Sequence, residues 1–323
     1  MNTDPGPAVH LSAIAVELGA RVPIADLDDP SVTAEVANLH AGGLRYCRVA
    51  EQDVVELAAT AARRTLAAAG APAVDAVVHA TDSPYRETAT KDGWAVLSGA
   101  GVPTAPTVAV GGSASANLAA ALRVATGLLV AERLDTVLLV SADRITDGAR
   151  YQPVGVTVLS DGAAACLISR TPHGPGYRVL GVSTAIQADA VEVSNSLKAA
   201  NLVKLGVTAA RERLLADLPE PERGFRHLVT GHYSLATRTF LSRLCGLDLT
   251  AVHTPAVAEV GHSFSADLLL SLASLHEQGL VEPGDRVLVL ATSPRSWSLI
   301  ALEFTTGPAG ADPAEDTAGH AAG

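Results

Sequence analysis

Two stretches of the chain repeat one order of apolar and polar positions. The first centres on Ala109 to Arg144. A β-branched run (Thr107, Val108, Val110) reaches Gly111-Gly112, and small residues from Ser113 to Asn117 open a long Ala/Leu-rich segment that ends near Arg133. Val137 to Val140 then follow as an apolar stretch without polar alternation. This order predicts strand, tight turn, helix, strand. A strand that is apolar at every position is covered on both faces, as in a parallel sheet. In the second stretch, Ser263-Phe264-Ser265-Ala266-Asp267-Leu268 echoes Ser113-Ala114-Ser115-Ala116-Asn117-Leu118, and Asp285 to Ser293 echoes Asp135 to Asp143. Upstream, the helix pattern from Val54 to Ala69 followed by Asp75 to Asp82 is matched by Ala199 to Leu218 followed by Arg226 to His232. The chain therefore reads as a duplicated helix–strand–helix–strand unit. Two pseudo-symmetric halves would bring two helix N-termini to one interface, with Ser115 in reach of His232 and His262.

Between these units the pattern predicts a strand from Ala8 to Leu18, a polar segment from Asp26 to Pro30, a helix from Val32 to His40 and a turn at Gly42-Gly43. The stretch from Asp82 to Gly101 is rich in polar and aromatic residues, among them Tyr85 and Trp94. It reads as a long irregular loop that lines a substrate tunnel or makes a dimer contact. Val154 to Ser169 reads as a strand pair turning at Ser160-Asp161-Gly162, and Val179 to Ile186 as the strand that crosses to the second repeat. Residues 306–323, small and polar, are expected to be disordered. The division is 8–170 for a first half holding Ser115, 171–305 for a second holding His232 and His262, and 306–323 for the tail.

With 323 residues, 48% of them hydrophobic, the chain can bury a large core, as two domains or as one duplicated α/β body. A net charge of −11 argues against nucleic acid, which needs a basic face. The cysteines, Cys47, Cys166 and Cys245, form no CxxC pair, so neither a disulfide framework nor a metal site is expected. Cys166 lies in an apolar run and reads as a small buried hydrophobe. There is no basic segment followed by an apolar core at the N-terminus, and no apolar run reaches the roughly 18 residues a membrane span needs. A cytoplasmic protein without a membrane partner is expected.

The candidate chemistry sits at the helix starts. Gly111-Gly112-Ser113-Ala114-Ser115 begins like the hydrolase elbow G-x-S-x-G but lacks the closing glycine, and no dinucleotide or P-loop glycine pattern follows a strand. Ser115 falls in a first helical turn, where unpaired N–H groups and the dipole favour developing negative charge. Taken alone, Ser113 and Ser115 read as helix caps. The duplication adds partners. A serine needs an imidazole to take its proton, and a carboxylate such as Asp267 can fix the imidazole tautomer. Asp267 reads equally as a charge that stabilises its own first helical turn.

On these residues the chain, from Ala8 to Phe304, resembles the β-ketoacyl-ACP synthase III family of the thiolase fold. Gly43-Leu44-Arg45 is similar to the family's GIR turn. Ser141-Ala142-Asp143 and Ser160-Asp161-Gly162-Ala163 are similar to its GSD and GDGA segments. Pro283-Gly284-Asp285 precedes the last core strand, and Trp297 lies in the closing hairpin. The resemblance implies an α/β thiolase fold of two pseudo-symmetric halves in five layers, αβαβα. It places Ser115 on the nucleophilic cysteine, His232 on the histidine of the PHQAN segment and His262 on the asparagine of the GNTS segment. Gly261-His262-Ser263-Phe264-Ser265-Ala266-Asp267 resembles the GHxFxAD segment of a subgroup of Ser- or Cys-dependent acyltransferases in secondary metabolism. An imidazole backed by a carboxylate can deprotonate an acceptor, whereas asparagine cannot.

The expected function is transfer of a short acyl group from a carrier-protein or coenzyme A thioester, through a Ser115 ester, to a hydroxyl or a second carrier. Starter-unit condensation with malonyl-ACP and a non-catalytic partner subunit of a ketosynthase are the alternatives. His262, oriented by Asp267, is the expected base for the acceptor, and His232 assists Ser115 or stabilises the oxyanion. The resemblance further implies an oxyanion hole from the backbone N–H groups of Ser115 and Ser293. Tyr85, Trp94, Arg150 and Arg295 are the expected donor-binding residues. The family's adenine-stacking tryptophan aligns near Ala37, and Thr292-Ser293-Pro294-Arg295 replaces its glycine-rich closing loop. A carrier-protein thioester is therefore favoured over free coenzyme A. No permanently bound cofactor or metal is expected. The expected partners are an acyl carrier protein, a small-molecule acceptor and a second copy of the chain in a homodimer.

Overall fold

Neighbouring residues of one strand enter different cores, and this alternation builds the layers. The computed structural model describes residues 8–83, 86–146, 148–153, 155–189 and 196–307; the expected disordered tail and Tyr85 thus lie largely or wholly outside the described residues. The first half contains β1 (His10–Leu18), β2 (Ala20–Pro23), α1 (Pro30–Thr33), α2 (Val36–Ala41), β3 (Tyr46–Val49), α3 (Val54–Ala68), β4 (Ala76–Ala80), α4 (Ala89–Ala100) and β5 (Thr107–Val110). It continues with α5 (Asn117–Ala131), β6 (Thr136–Asp143), β7 (Tyr151–Gln152), β8 (Thr157–Val158) and β9 (Gly162–Ser169). The second half contains β10 (Gly176–Ile186), α6 (Ser196–Asp217), β11 (His227–Thr230), α7 (Leu235–Cys245), α8 (Val257–Val260), α9 (Ala266–Glu277), β12 (Arg286–Thr292) and β13 (Ser296–Thr305).

Nine strands follow one hydrogen-bonded order, β11-β12-β13-β10-β1-β9-β6-β4-β5. The halves join where β1 meets β10 through three residue pairs, His10 with Arg178, Leu11 with Tyr177 and Ser12 with Gly176. On β6, Val137 and Leu139 pack with the central helices α5 and α9, whereas Leu138 and Val140 pack with α3 and α4. On β12, Val287 and Val289 join the same central cluster, whereas Leu288 and Leu290 pack with α6 and α7. The period of two along each strand thus yields five layers, with α5 and α9 buried between the two halves of this sheet. This is the thiolase fold that the family resemblance implied.

Four local expectations change. Asp82 to Gly101 is not a continuous loop, because α4 starts at a Thr88 cap and ends at Gly101 in the left-handed region (φ +82°). The expected single helix from Val32 to His40 is two short ones, with Pro30 at the start of the first. Val158 pairs with Tyr151 in a small hairpin, so Ser160-Asp161 connects that hairpin to β9 and does not turn a strand pair. The run Ala114–Ala131, with a mean hydropathy of 1.5, does reach membrane-spanning length, and half of it is buried inside the protein. Its Ala119, Ala121, Leu122, Ala125 and Leu129 are fully buried in the central layer, which accounts for the apolar character.

Candidate active site

The N-termini of α5 and α9 meet at the centre of the molecule, each introduced by a residue with positive φ, Ala114 (+46°) and Phe264 (+54°). Such values are strained for residues with a Cβ and persist only where surrounding bonds over-determine them. In the first half the Asp82 carboxylate supplies those bonds, accepting from the N–H groups of Gly112 (2.7 Å) and Ala114 (2.6 Å) and from Asn117 Nδ2 (3.0 Å). In the second half Asp267 accepts from Ser263 N (2.8 Å), Ser263 Oγ (2.7 Å) and His232 N (2.9 Å). The turn before α5 presents Ser115, 6% exposed, to a cavity.

Ser115 Oγ lies 2.7 Å from His262 Nε2, and His262 Nδ1 lies 2.5 Å from Asp267 Oδ2. A carboxylate only accepts, so Nδ1 carries the proton and Nε2 presents its lone pair to the serine hydroxyl. Burial alone would raise the Asp267 carboxyl, yet His232, His262 and the bonds it accepts hold it down at about 2. The backbone of His262 is pinned to the first half: its N–H donates to Val158 O, and its carbonyl accepts from Ser160 N, both at 2.8 Å. Gly261 makes this approach possible. A Cβ there would stand 2.8 Å from both Ser160 Oγ and Val158 O, and its φ of +67° is strained for any other residue. The His262 ring lies between Tyr233, centroids 4.9 Å apart, and Phe264, 5.8 Å apart.

The cavity above Ser115 and His262 has a volume of about 560 Å³. Its walls include Val156, Leu159, Val203, Phe240, Phe264 and Trp297, and no Asp, Glu, Lys or Arg among the described residues lines it. It suits an uncharged, mainly apolar group. The three cysteines are buried elsewhere, and burial raises the pKa of each thiol.

The remaining sequence-derived candidates divide. His232 does not line the cavity. It is fully buried behind Asp267, its Nδ1 donates to Gly261 O at 2.8 Å, and desolvation lowers its pKa against the pull of Asp267. A neutral ring whose proton is on Nδ1 offers only a lone pair at Nε2 and cannot donate to an oxyanion. Among the described residues Ser115 N–H meets no acceptor, whereas Ser293 N–H donates to Ser296 O at 2.8 Å inside the β12–β13 turn. The expected second donor is thus already engaged. Arg150 is not at the cavity either. Its guanidinium grips the buried Asp161 carboxylate in a two-pronged pair at 3.0 and 2.9 Å. Arg295 Nη1 donates to Ala188 O at 3.1 Å near the rim. Trp94 is 63% exposed on α4, pointing away from the buried face formed by Asp92, Val96, Leu97 and Ala100. Tyr233, Asp82 and Ser265 were not singled out in the sequence; the signal available was duplication, since the strand registers make Asp82 the counterpart of Tyr233, and Ser265 is the echo of Ser115.

Residues 112–189 match the family of 3-oxoacyl-[acyl-carrier-protein (ACP)] synthase III. No curated protein is matched by the sequence. Among solved structures, the 3-oxoacyl-(acyl carrier protein) synthase III FabH of Pseudomonas aeruginosa PAO1 is similar at a TM-score of 0.75 and 22% identity, over 92% of this chain and 98% of its own. ChlB3, described as an acyltransferase, is similar at a TM-score of 0.74 and 17% identity, over 93% of this chain and 98% of its own. A variant of OleA from Xanthomonas campestris reaches a TM-score of 0.72 at 17% identity, over 92% of this chain and 97% of its own. The central sheet, the buried helix pair and these likenesses together give the chain the thiolase fold, with the match to the synthase III family confined to residues 112–189.

Proposed function

We propose that the chain is an acyltransferase in which Ser115 takes an acyl group from a carrier-protein or coenzyme A thioester and passes it to a hydroxyl or a second carrier thiol. The observation that carries this reading is the hydrogen-bonded file Ser115–His262–Asp267 at the floor of an apolar cavity. His262 Nε2 takes the hydroxyl proton as Oγ attacks the thioester carbon, and it returns that proton to the departing thiol. The same nitrogen then takes the acceptor's proton as the acceptor attacks the ester, and returns it to Ser115 Oγ as the ester C–O bond breaks. This assignment moves His262 into both half-reactions, whereas the sequence placed it in the second alone.

Condensation shares the loading step and differs in the acceptor. The matched synthase family favours it. Against it stands the donor inventory. In their neutral forms His262 holds its N–H toward Asp267 and His232 holds its own toward Gly261, so neither offers an N–H to a thioester enolate.

The test is incubation with acyl thioesters of N-acetylcysteamine, followed by the mass of the intact protein. An added acyl group on the wild type and on Ser113→Ala, but not on Ser115→Ala, supports the reading. Full transfer activity in Ser115→Ala would overturn the covalent route in favour of direct transfer between bound partners. Release of carbon dioxide with a carbon–carbon bonded product from a malonyl thioester would establish condensation instead.

A further inference from the structure

The acyl-enzyme route needs a second donor for its oxyanion, because Ser115 N–H stands alone once Ser293 N–H is committed to Ser296. We propose that the phenol of Tyr233 is that donor; the inference rests on the acyltransferase reading above. Tyr233 lines the cavity together with Ser115 and His262. Its hydroxyl lies 2.9 Å from Thr292 Oγ1, which can donate to it, and reaches Thr292 O only at 3.5 Å, a long and weak contact that an oxyanion can displace. Burial pushes its pKa up, opposed by interactions with Thr292 and, in part, with Ser115, so the phenol stays protonated and within electrostatic reach of the nucleophile.

The ring is held by shape. A Cβ on Gly155 would come within 2.7 Å of Tyr233 Cδ1, and one on Gly231 within 2.6 Å of Cζ and 2.8 Å of the hydroxyl. The phenol therefore sits clamped between two backbone surfaces, with its face tilted on the His262 ring. Such fixed placement is what makes a hydrogen-bond donor effective when charge develops, since no reorganisation accompanies the reaction.

The step balances as follows. Ser115 Oγ forms a bond to the thioester carbon while its proton passes to His262 Nε2. The carbonyl π pair moves onto oxygen, which accepts from Ser115 N–H and Tyr233 Oη–H. Thr292 Oγ1 turns its own hydrogen to Tyr233 Oη, so the phenol oxygen keeps a partner. When the intermediate collapses, that pair re-forms the carbonyl, the C–S bond breaks, and the thiolate takes the proton from His262.

Tyr233→Phe keeps the ring between the two glycines and removes only the hydroxyl. The experiment compares single-turnover loading of wild type and Tyr233→Phe by N-acetylcysteamine thioesters, read from intact mass against time and thioester concentration. The expected result is a maximal loading rate reduced roughly 10²- to 10³-fold, the range for loss of one oxyanion donor, with the half-saturating concentration little changed. A rise in half-saturating concentration at an unchanged maximal rate would overturn the proposal and leave Tyr233 as a wall of the cavity. A second measurement replaces Tyr233 with fluorinated tyrosines of graded acidity. A loading rate that rises with phenol acidity while the phenol remains protonated supports the donor role, and a flat dependence overturns it. No loading of wild type would overturn the acyltransferase reading and this inference with it; loading of wild type at the same rate as Tyr233→Phe would overturn the donor role alone.

Discussion

Ser265 and Ser115 hold equivalent places at the starts of the two central helices, and the hydroxyl of one clamps the backbone of the other. Ser265 Oγ accepts from Leu118 N and donates to Ser115 O, each at 3.2 Å, and it is fully buried. The duplication thus places one copy of the serine as the proposed nucleophile and the other as its anchor. Ser265→Ala leaves the Leu118 N–H and one lone pair of the Ser115 carbonyl without these partners inside the central layer. Loss of a buried partner costs about 1–3 kcal/mol, so urea unfolding of this variant should show a stability lower by that amount. Loading of Ser115 should slow as well, because the nucleophile's main chain is no longer held. An unchanged loading rate would show that α5 and Asp82 suffice to place Ser115.

The edge of the sheet supports a second expectation, a homodimer. Thr107, Val108 and Ala109 of β5 are exposed, Val108 at 37%, and among the described residues β5 pairs only with β4. Trp94 stands 63% exposed on the neighbouring α4. A protein that leaves such an edge open in solution risks unspecific pairing, and covering it with a second copy should bury more than about 2,000 Å². Light scattering should report twice the chain mass of 32.9 kDa, and Val108→Pro should shift it to the single mass. A wild type that scatters as a monomer at micromolar concentration would dismiss the expectation.

Much of the fold could be read in the sequence because duplication preserved residue types at helix starts. Ser113, Ser115 and Asn117 recur as Ser263, Ser265 and Asp267, and each pair takes the same structural place; Asn117 Oδ1 accepts from Ser113 N as Asp267 Oδ1 accepts from Ser263 N. The helix α4 was hidden by its buried polar Asp92 and by Gly93, which left only Val96, Leu97 and Ala100 as an apolar face, although Thr88 and Gly101 were its start and stop signals. The site was harder, because its errors depend on contacts between distant segments. His232 sits at the end of a strand aimed at the site, yet its ring is turned by the carbonyl of Gly261. Arg150 looks like a free loop cation until Asp161 folds against it. Tyr233 was harder to see because only Gly231 of the two glycines that clamp it lies nearby in the sequence; Gly155 reaches the ring from a distant segment.

Asp143 links the site to pH. Its Oδ1 accepts from Asp82 N at 2.7 Å and from Ser83 N at 3.2 Å, so it orders the segment whose Asp82 holds the nucleophile turn. Burial pushes its carboxyl up to about 7, with the Asp82 charge adding to the rise and the accepted bonds opposing it. A carboxyl whose folded pKa lies above its unfolded value keeps its proton in the native state after the unfolded chain has lost it. Its effect on stability is therefore neutral below the unfolded value near 4, and stability declines as pH rises from there to about 7. The slope is at most about 1.4 kcal/mol per pH unit. In Asp143→Asn this decline should vanish, so urea midpoints of variant and wild type should separate progressively between pH 4 and 7. Parallel curves across that range would show that Asp143 ionises normally.

The last prediction concerns the pair behind Ser115. If His262 served only the acceptor, His262→Asn would load normally. The 2.7 Å contact between Ser115 Oγ and His262 Nε2 predicts instead that loading itself falls, by roughly 10²- to 10⁴-fold, the range for loss of a general base. Asp267→Asn should act through the same atom. An amide in place of the carboxylate can turn its NH₂ toward His262 Nδ1, which then accepts, so the ring proton moves to Nε2 and no lone pair remains for the serine; a loss of about 10⁴-fold is the usual consequence of a wrong tautomer. Because the two residues act as a unit, the double variant should load no more slowly than the slower single variant. The carboxylate also has an acid signature. Its folded pKa of about 2 lies below the unfolded value, so its stabilising contribution is complete above pH 4 and is lost as pH falls toward 2. Asp267→Asn should lack this part of the acid transition in fluorescence-monitored unfolding. Multiplicative losses in the double variant, together with an acid transition identical to wild type, would mean that His262 and Asp267 do not form one proton-transfer unit.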